Sequence, residues 1–518
     1  MRTVISPQMS LGETDISQIK ISLTSRDDIP AILIGLQHIY ITPSLREAVF
    51  SILEQVIPKH ASEEKANQKV SSALGRPGMD QWKILVLGVL RLGLNTDYDR
   101  IHELSNHHDT VRQMMGHSDF GDDYHYSLQA IKDNLMLFTP KILKQIDNEV
   151  IKAGHILLKK KPSAGQTKKK KIDDEVISSG SEKLRGRCDS FVLETNVHFP
   201  TDTSLLYDAV RKASEESAQL ALAYGLPGWR QFKKNIRQFK KQLRTIQIYK
   251  HSTSSDEQKK LKRVELIKNK YTTYIEMAET RLDLSKKLIE QLKAEGAVDY
   301  EWAQLEYYLD YVELLSKQVY RRVILEENIA HSEKIFSIFQ PHTEWISKGK
   351  AGVPVELGLR VCIMEDQHQF ILHSKVMEKL TDDKIAIEMV TETQKQFPNL
   401  VCVSFDKGYH SKENQKGLKE HLEQVILPKK GRLSEADQLR EGSNEFKTLR
   451  RKHSGVESAI NGLEHGGLDV CPDHGIHGFK RYVSLAVLSR NIKRVGTIIR
   501  QQEQEKEQRK RGCYKKAA

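Results

Sequence analysis

This 518-residue chain has little of what would place it in a membrane or an oxidising compartment. Its five cysteines (Cys188, Cys362, Cys402, Cys471 and Cys513) are scattered with no C-x-x-C spacing. That is the usage expected of reduced thiols in a cytosol rather than of a disulfide framework. Cys471, His474 and His477 crowd together in CPDHGIH, but no second pair of ligands flanks them, so a turn is favoured over a zinc site. Long hydrophobic runs are missing too. The most apolar stretch, Trp82 to Leu94, carries Lys83 and Arg91 and is too short to cross a bilayer. Met1 to Thr24 lacks the continuous apolar core of a signal peptide. These absences lead us to expect a soluble, cytoplasmic protein with no membrane partner.

What is present is charge. Charged residues make up 29% of the chain and apolar ones 38%, enough for several cores and roughly three domains. The net charge of +12 is concentrated in two places. Lys152 to Lys171 holds eight lysines and no acid, and Lys493 to Lys516 carries a surplus of six positive charges. Basic segments of this kind serve sequence-independent, salt-sensitive contact with phosphates, or simply keep a linker solvated.

Hydrophobic periodicity divides the chain. TPSLREAVFSILEQVI reads as an amphipathic helix with Pro43 in its first turn, inside an N-terminal helical segment, 1–70. Residues 71–155 read as short helices broken by polar turns, a pattern that fits either a helix-turn-helix-like DNA reader or a dimerisation unit. A basic linker is expected over 156–184 and a basic tail over 501–518. Between 205 and 350 the pattern is helical throughout. One seam runs Val264, Ile267, Tyr271, Tyr274, Ala278, Leu288, Leu292, and a second runs from Trp302 to Val323, predicting two long helices packed antiparallel.

Around that block the period switches to strands. GRCDSFVLE is β-like, ELGLRVCIMED and QFILHSKVME form a hairpin, and LVCVSFD and EQVILP are further strands. Helices are expected at DDKIAIEMVTETQKQF, at ENQKGLKEHL and from about Asn444 to His465. This order is that of an α/β RNase H-like catalytic domain with a mixed five-stranded sheet, here formed by 185–204 and 351–500. The all-helical block, 205–350, is then an insertion after the first strand, and the helical N-terminal domain precedes it.

In that topology the first and fourth strands are neighbours. Asp189 and Asp406 would then face each other across a ladder about 5 Å wide, and Glu457 would close the site from the last helix. His453, four residues before Glu457, falls on the same helical face. It suits a scissile phosphate or proton transfer as well as a plain hydrogen bond. Asn461, one turn past the glutamate, is placed to orient it. Lys407, beside Asp406, suits a DNA backbone or open solvent. Glu194 and His198 read as paired or far-face residues. Thr201, Asp202 or Thr203 caps the helix that follows them. Trp345 suits a core position better than stacking on an extruded base.

DSFVLETNVHFPTDTSLLYDAVR, FDKGYHS, PHTEWISKGKAGVPVELG and RKHSGVESAINGLEHGGLDVCPDHGIHGFKRYV resemble the blocks of a bacterial insertion-sequence DDE transposase, close to the ISNCY-like group of the RNase H-like superfamily. The likeness covers most of residues 75–500. It implies that Asp189, Asp406 and Glu457 are metal ligands for two Mg²⁺ ions, with Mn²⁺ able to substitute. It further implies double-stranded DNA as partner, both terminal inverted repeats and target, a homodimer or higher oligomer in the synaptic complex, and a prokaryotic, nucleoid-associated location. One departure stands out. Many related enzymes have Tyr and Arg seven and four residues before the glutamate and Lys seven after it, where this chain has Arg450, His453 and Glu464. A hairpin intermediate borrowed from them is therefore in doubt, whereas the metal chemistry is not. The rivals are an RNase H-like nuclease without strand joining and a transposon-derived DNA-binding protein without catalysis.

Overall fold

The computed structural model describes residues 3–5, 14–56, 78–117, 122–159, 182–251, 256–347 and 354–517. Most of the expected linker, and residues 57–77, lie outside the described residues. Among the described residues there are seven strands: β1 (Leu184–Thr195), β2 (Glu344–Ser347), β3 (Val355–Glu365), β4 (Ile371–Met377), β5 (Leu400–Phe405), β6 (Gln424–Ile426) and β7 (Val470–Cys471). The chain divides into two compact units, Met1–Glu194 with Leu359–Ala518, and Thr195–Gly358.

In the first unit the strand order is β4-β3-β1-β5-β6, and β7 adds to β1. The β3/β4 pair is antiparallel, whereas β5 runs parallel to both β1 and β6. LVCVSF, an almost unbroken apolar run, makes β5 an inner strand because a parallel strand with neighbours on both sides is covered on both faces. The β4 edge is blocked by one side chain. Asn491 accepts a hydrogen bond from the Ile371 N–H at 3.0 Å and donates one to its carbonyl at 3.0 Å. It also donates to Asp147 at 2.8 Å, so the backbone groups of an edge strand find partners inside the fold.

Residues 1–155 were expected to form an N-terminal segment and a separate 71–155 domain. Instead their helices share one hydrophobic core with the sheet. The helix Ile29–Ile41 buries Ile29, Ala31, Ile32, Leu33, Leu36 and Ile39 among others, leaving little polar face. A helix apolar on nearly all sides must lie inside a larger body. Its cover is a 43-residue helix, Gly475–Ala517. The C-terminal tail expected at 501–518 is thus helical through Ala517.

The two helices meet backbone to backbone. A Cβ built on Gly496 would lie 1.8 Å from the Ala31 carbonyl oxygen, and one on Gly35 would lie 2.2 Å from that of Ile492. Neither neighbour is a side chain that can swing aside. Gly496→Ala should therefore force the helices apart and destabilise the first unit by about 3 kcal/mol, the upper end for overpacking. The urea midpoint measures this, and an unchanged midpoint would mean the helices slide freely.

The second unit is mostly helical, with helices Asp202–Ala223, Phe232–His251, Glu257–Ala294 and Asp299–Val323. Thr201 caps the first of them in a reciprocal box with Ser204. The two long helices reverse at Gly296, whose φ of 82° suits a residue without a Cβ. The predicted seams are buried from Tyr271 to Leu292 and from Trp302 to Val319. Val264 is an exception at 49% exposed, because the first seam begins only near Tyr271. The unit spans 195–358 rather than 205–350, and it contains β2, paired with the start of β3 through Trp345 and Leu357.

Candidate functional site

The parallel pairing of β1 with β5 sets the site. After a register shift at Leu184/Arg185, Arg187 pairs with Ser404 and Cys188 with Phe405. Asp189 and the first residue past β5, Asp406, therefore come next on neighbouring strands. Side chains alternate along a strand, so Arg187 and Asp189 share one face of β1. Asp406 caps the short 3₁₀ turn Lys407–Tyr409 and is exposed, as is Lys407.

Glu457 stands in the first turn of the helix Gly455–Leu463 and is exposed. The single helix expected over 444–465 is broken. One helix ends at His453, the next begins at Gly455, and a π-helical turn follows over Glu464–Leu468, with Gly467 at φ 101°. His453 and Glu457 thus lie on successive helices rather than on one continuous face. Asn461 is exposed one turn beyond Glu457.

Electrostatics tie these residues together. Burial pushes the Asp189 carboxyl up to about 6, against a hydrogen bond from the Ser190 N–H, and the negative charges of Asp406, Asp382 and Glu457 push it further. Burial also lowers His453, while Asp406 and Glu457 pull it the other way. The His453 Nδ1 lies 3.0 Å from the Ser404 hydroxyl, and its buried Nε2 has no hydrogen-bond partner among the described residues.

Asp382 is the residue that sequence reasoning missed. It opens the helix Asp382–Gln394 and accepts a hydrogen bond from the Ser190 hydroxyl at 2.6 Å. In sequence it looks like an ordinary first-turn acid favoured by the helix dipole. Nothing local distinguishes it, because its partner Ser190 lies 192 positions earlier in the chain. Ser404 was legible from alternation alone, two residues before Asp406, which follows directly on the end of its strand.

Other candidates lie elsewhere. In the second unit His198 pairs with Asp208 at 2.8 Å, the structural role expected of it. Trp345 is half-buried, its ring 5.5 Å from that of Phe199 and 5.7 Å from that of Phe336, rather than sealed in a core. Arg450 is exposed, 4.0 Å from Glu441.

The donor set suits a hard cation, being all carboxylate oxygen with mutual repulsion and no lysine or arginine prominent in the field at Asp189. Among the described residues, however, no three His, Cys, Asp or Glu side chains stand close enough together to hold an ion. Binding one requires these carboxylates to draw inward.

The raised Asp189 carboxyl has a pH consequence. A folded-state value of about 6 against an ordinary 3.8 means that the native protein holds a proton that the unfolded chain has released. Asp189 therefore supports stability below about pH 4, and that support is lost as pH rises through 6, by at most about 3 kcal/mol. Asp189→Asn should gain on wild type across this window and hold a constant advantage above it, measured by urea midpoints from pH 4.5 to 7.5. A gap independent of pH would mean that Asp189 titrates normally.

No family model matches the chain, and no curated protein or solved structure is significantly similar to it.

Proposed function

We propose that this protein is a DDE-type DNA transposase. It would bind the terminal inverted repeats of its element, cut the 3′ ends, and join them to target DNA in a dimeric or larger complex. The observation that carries the proposal is the placement of Asp189, midway along β1, beside Asp406, just past the end of the parallel strand β5, with Glu457 contributing to the field at Asp189. Further support comes from the strand order β4-β3-β1-β5-β6, with β5 parallel to both β1 and β6, which agrees with the neighbouring first and fourth strands expected of an RNase H-like domain.

In this proposal Asp189, Asp406 and Glu457 would hold two Mg²⁺ ions, with Asp382 beside them. Bound there, such ions activate the attacking water or 3′-hydroxyl and stabilise the leaving oxygen. The chain's own groups do the rest. Asp189 must be ionised, which favours pH above 6. His453, fixed by Ser404, has a buried Nε2 without a partner among the described residues, which would meet a phosphate oxygen or a proton only once the site opens around it. Lys407 is exposed beside Asp406 for backbone contact.

The test is strand cleavage and joining with duplexes carrying the element's ends. Mg²⁺-dependent cutting followed by covalent joining to a target supports a transposase. Cutting without joining indicates a nuclease, and metal-independent binding without cutting indicates a DNA-binding protein.

A further inference from the structure

The helix Phe232–His251 of the second unit differs from its neighbours in charge. Acids make up 69 of the 518 residues, yet none occurs from Ser217 to Ser255, while eight basic residues fall between Arg230 and Lys250. The other helices of the unit carry both signs, and many of their charges are paired, as in Arg211 with Glu215, Lys286 with Glu313 and Arg322 with Asp202. On this helix Lys233, Lys234, Arg237, Lys240, Lys241 and Arg244 are all exposed, and none has a salt bridge among the described residues.

The apolar side of the helix is already used. Phe239, Leu243 and Ile246 are buried in the core of the unit, where the Phe239 ring stacks on Tyr274 at 4.2 Å. At 3.6 residues per turn these three positions form one stripe, and the six basic residues fan out on the opposite side. A membrane-surface helix needs its apolar face free to enter the lipid, and this one is buried in protein. What remains is an uncompensated cationic surface. From Lys233 to Arg244 it extends about 17 Å along the axis, which matches about five phosphates of one DNA strand.

We propose that the outer face of the helix Phe232–His251 binds the phosphate backbone of duplex DNA without reading its sequence. The face itself is defined by charge and exposure, and the choice of DNA among polyanions rests on the proposed function. Six exposed cations aligned along one helix, two of them (Lys233 and Lys240) resting over the rings of Phe232 and Tyr207, act as point charges, so they neutralise phosphates and release counterions rather than contact base edges.

The experiment uses the full chain in EDTA, so that binding is read apart from cutting. Affinity for a duplex of random sequence is measured by fluorescence anisotropy across a salt series. The quadruple variant K233Q/R237Q/K240Q/R244Q should flatten the log–log salt slope by about 2 to 4 and weaken binding at least tenfold near 0.1 M salt. The control K286Q/K317Q, at lysines paired with Glu313, should keep the wild-type slope. Circular dichroism verifies the helical content of both. A quadruple variant with wild-type slope and affinity would overturn the proposal, even if wild type cuts and joins DNA. So would loss of binding to 1:1 phosphatidylglycerol–phosphatidylcholine vesicles with DNA binding intact. If the slope falls as expected but wild type never cuts with Mg²⁺, the helix face stands and the transposase proposal fails.

Discussion

Asp406→Ala is expected to lower Mg²⁺-dependent strand cleavage by about 10³-fold or more while leaving the fold intact. The two halves of this expectation have separate grounds. The Asp406 side chain is exposed and only its backbone takes part in the turn that follows, where the Tyr409 N–H bonds to its carbonyl at 3.2 Å. Removing such a side chain shifts stability by about 0.5 kcal/mol or less. Its charge, by contrast, is among those that raise the Asp189 carboxyl. Asp406→Ala should therefore also lower the Asp189 carboxyl part of the way, burial remaining its main cause, and this is readable from the carboxyl ¹³C shift across a pH titration. Asp189→Asn and Glu457→Gln should match the loss of cleavage. Asp382→Asn should cost less, since its hydrogen bond to Ser190 makes it a supporting acid. Wild-type cleavage by Asp406→Ala would remove Asp406 from the chemistry and the proposed triad with it.

The parts of this site that could be read from sequence are those fixed locally. LVCVSFD shows a buried run stopped by an acid, which places Asp406 at a strand end whatever the rest of the chain does. The hairpin of β3 and β4 and the helix Asp382–Gln394 follow in the same way from period and turn residues. Glu457 was reached through the order of strands and helices, which puts the last helix beside the first and fourth strands, and the resemblance then gave it the role of a metal ligand. The features that escaped depend on contacts between distant segments. The break at Ser454 is one. Here the Lys452 carbonyl accepts a hydrogen bond from Arg187, a residue 265 positions earlier. The fusion of the N-terminal helices with the sheet is another, because it is the helix Gly475–Ala517 that gives the apolar helix Ile29–Ile41 its cover. Two opposite charges close in space and far apart in sequence leave no periodic trace, so the ionic cluster beneath the Glu457 helix was also invisible.

That cluster leads to the second large effect. Gly455 and Gly462 lie seven residues apart, two turns along one face of the Glu457 helix. A Cβ on Gly455 would fall 1.6 Å from Nη1 of Arg187, and one on Gly462 would fall 2.4 Å from Nη1 of Arg490. Both guanidinium groups turn to one buried carboxylate, Glu365, at 3.2 Å for Arg187 and 3.7 Å for Arg490. Arg187 also donates to the carbonyls of Asp366 at 2.9 Å and Lys452 at 3.3 Å, so its head is fixed from three sides. Glu457, two residues past Gly455, leaves the helix on the far side from this cradle. Adding a methyl group at either glycine gives the helix two choices. It can displace a guanidinium from its buried partner, or it can rise by about an ångström, and breaking a buried pair costs about 3–5 kcal/mol. Rising is therefore favoured, and a misplacement of about 1 Å at a reacting centre costs about 10²-fold in rate. Gly455→Ala and Gly462→Ala should each lower the cleavage rate by that order and raise the Mg²⁺ concentration needed for half-maximal rate. DNA affinity in EDTA should stay within about twofold, since an added methyl group changes no charge and phosphate contact is chiefly electrostatic. Ser458→Ala, exposed beside Glu457, should leave all three quantities unchanged. If both glycine variants fold and cut at the wild-type rate, the height of the Glu457 helix over Arg187 and Arg490 does not govern the site.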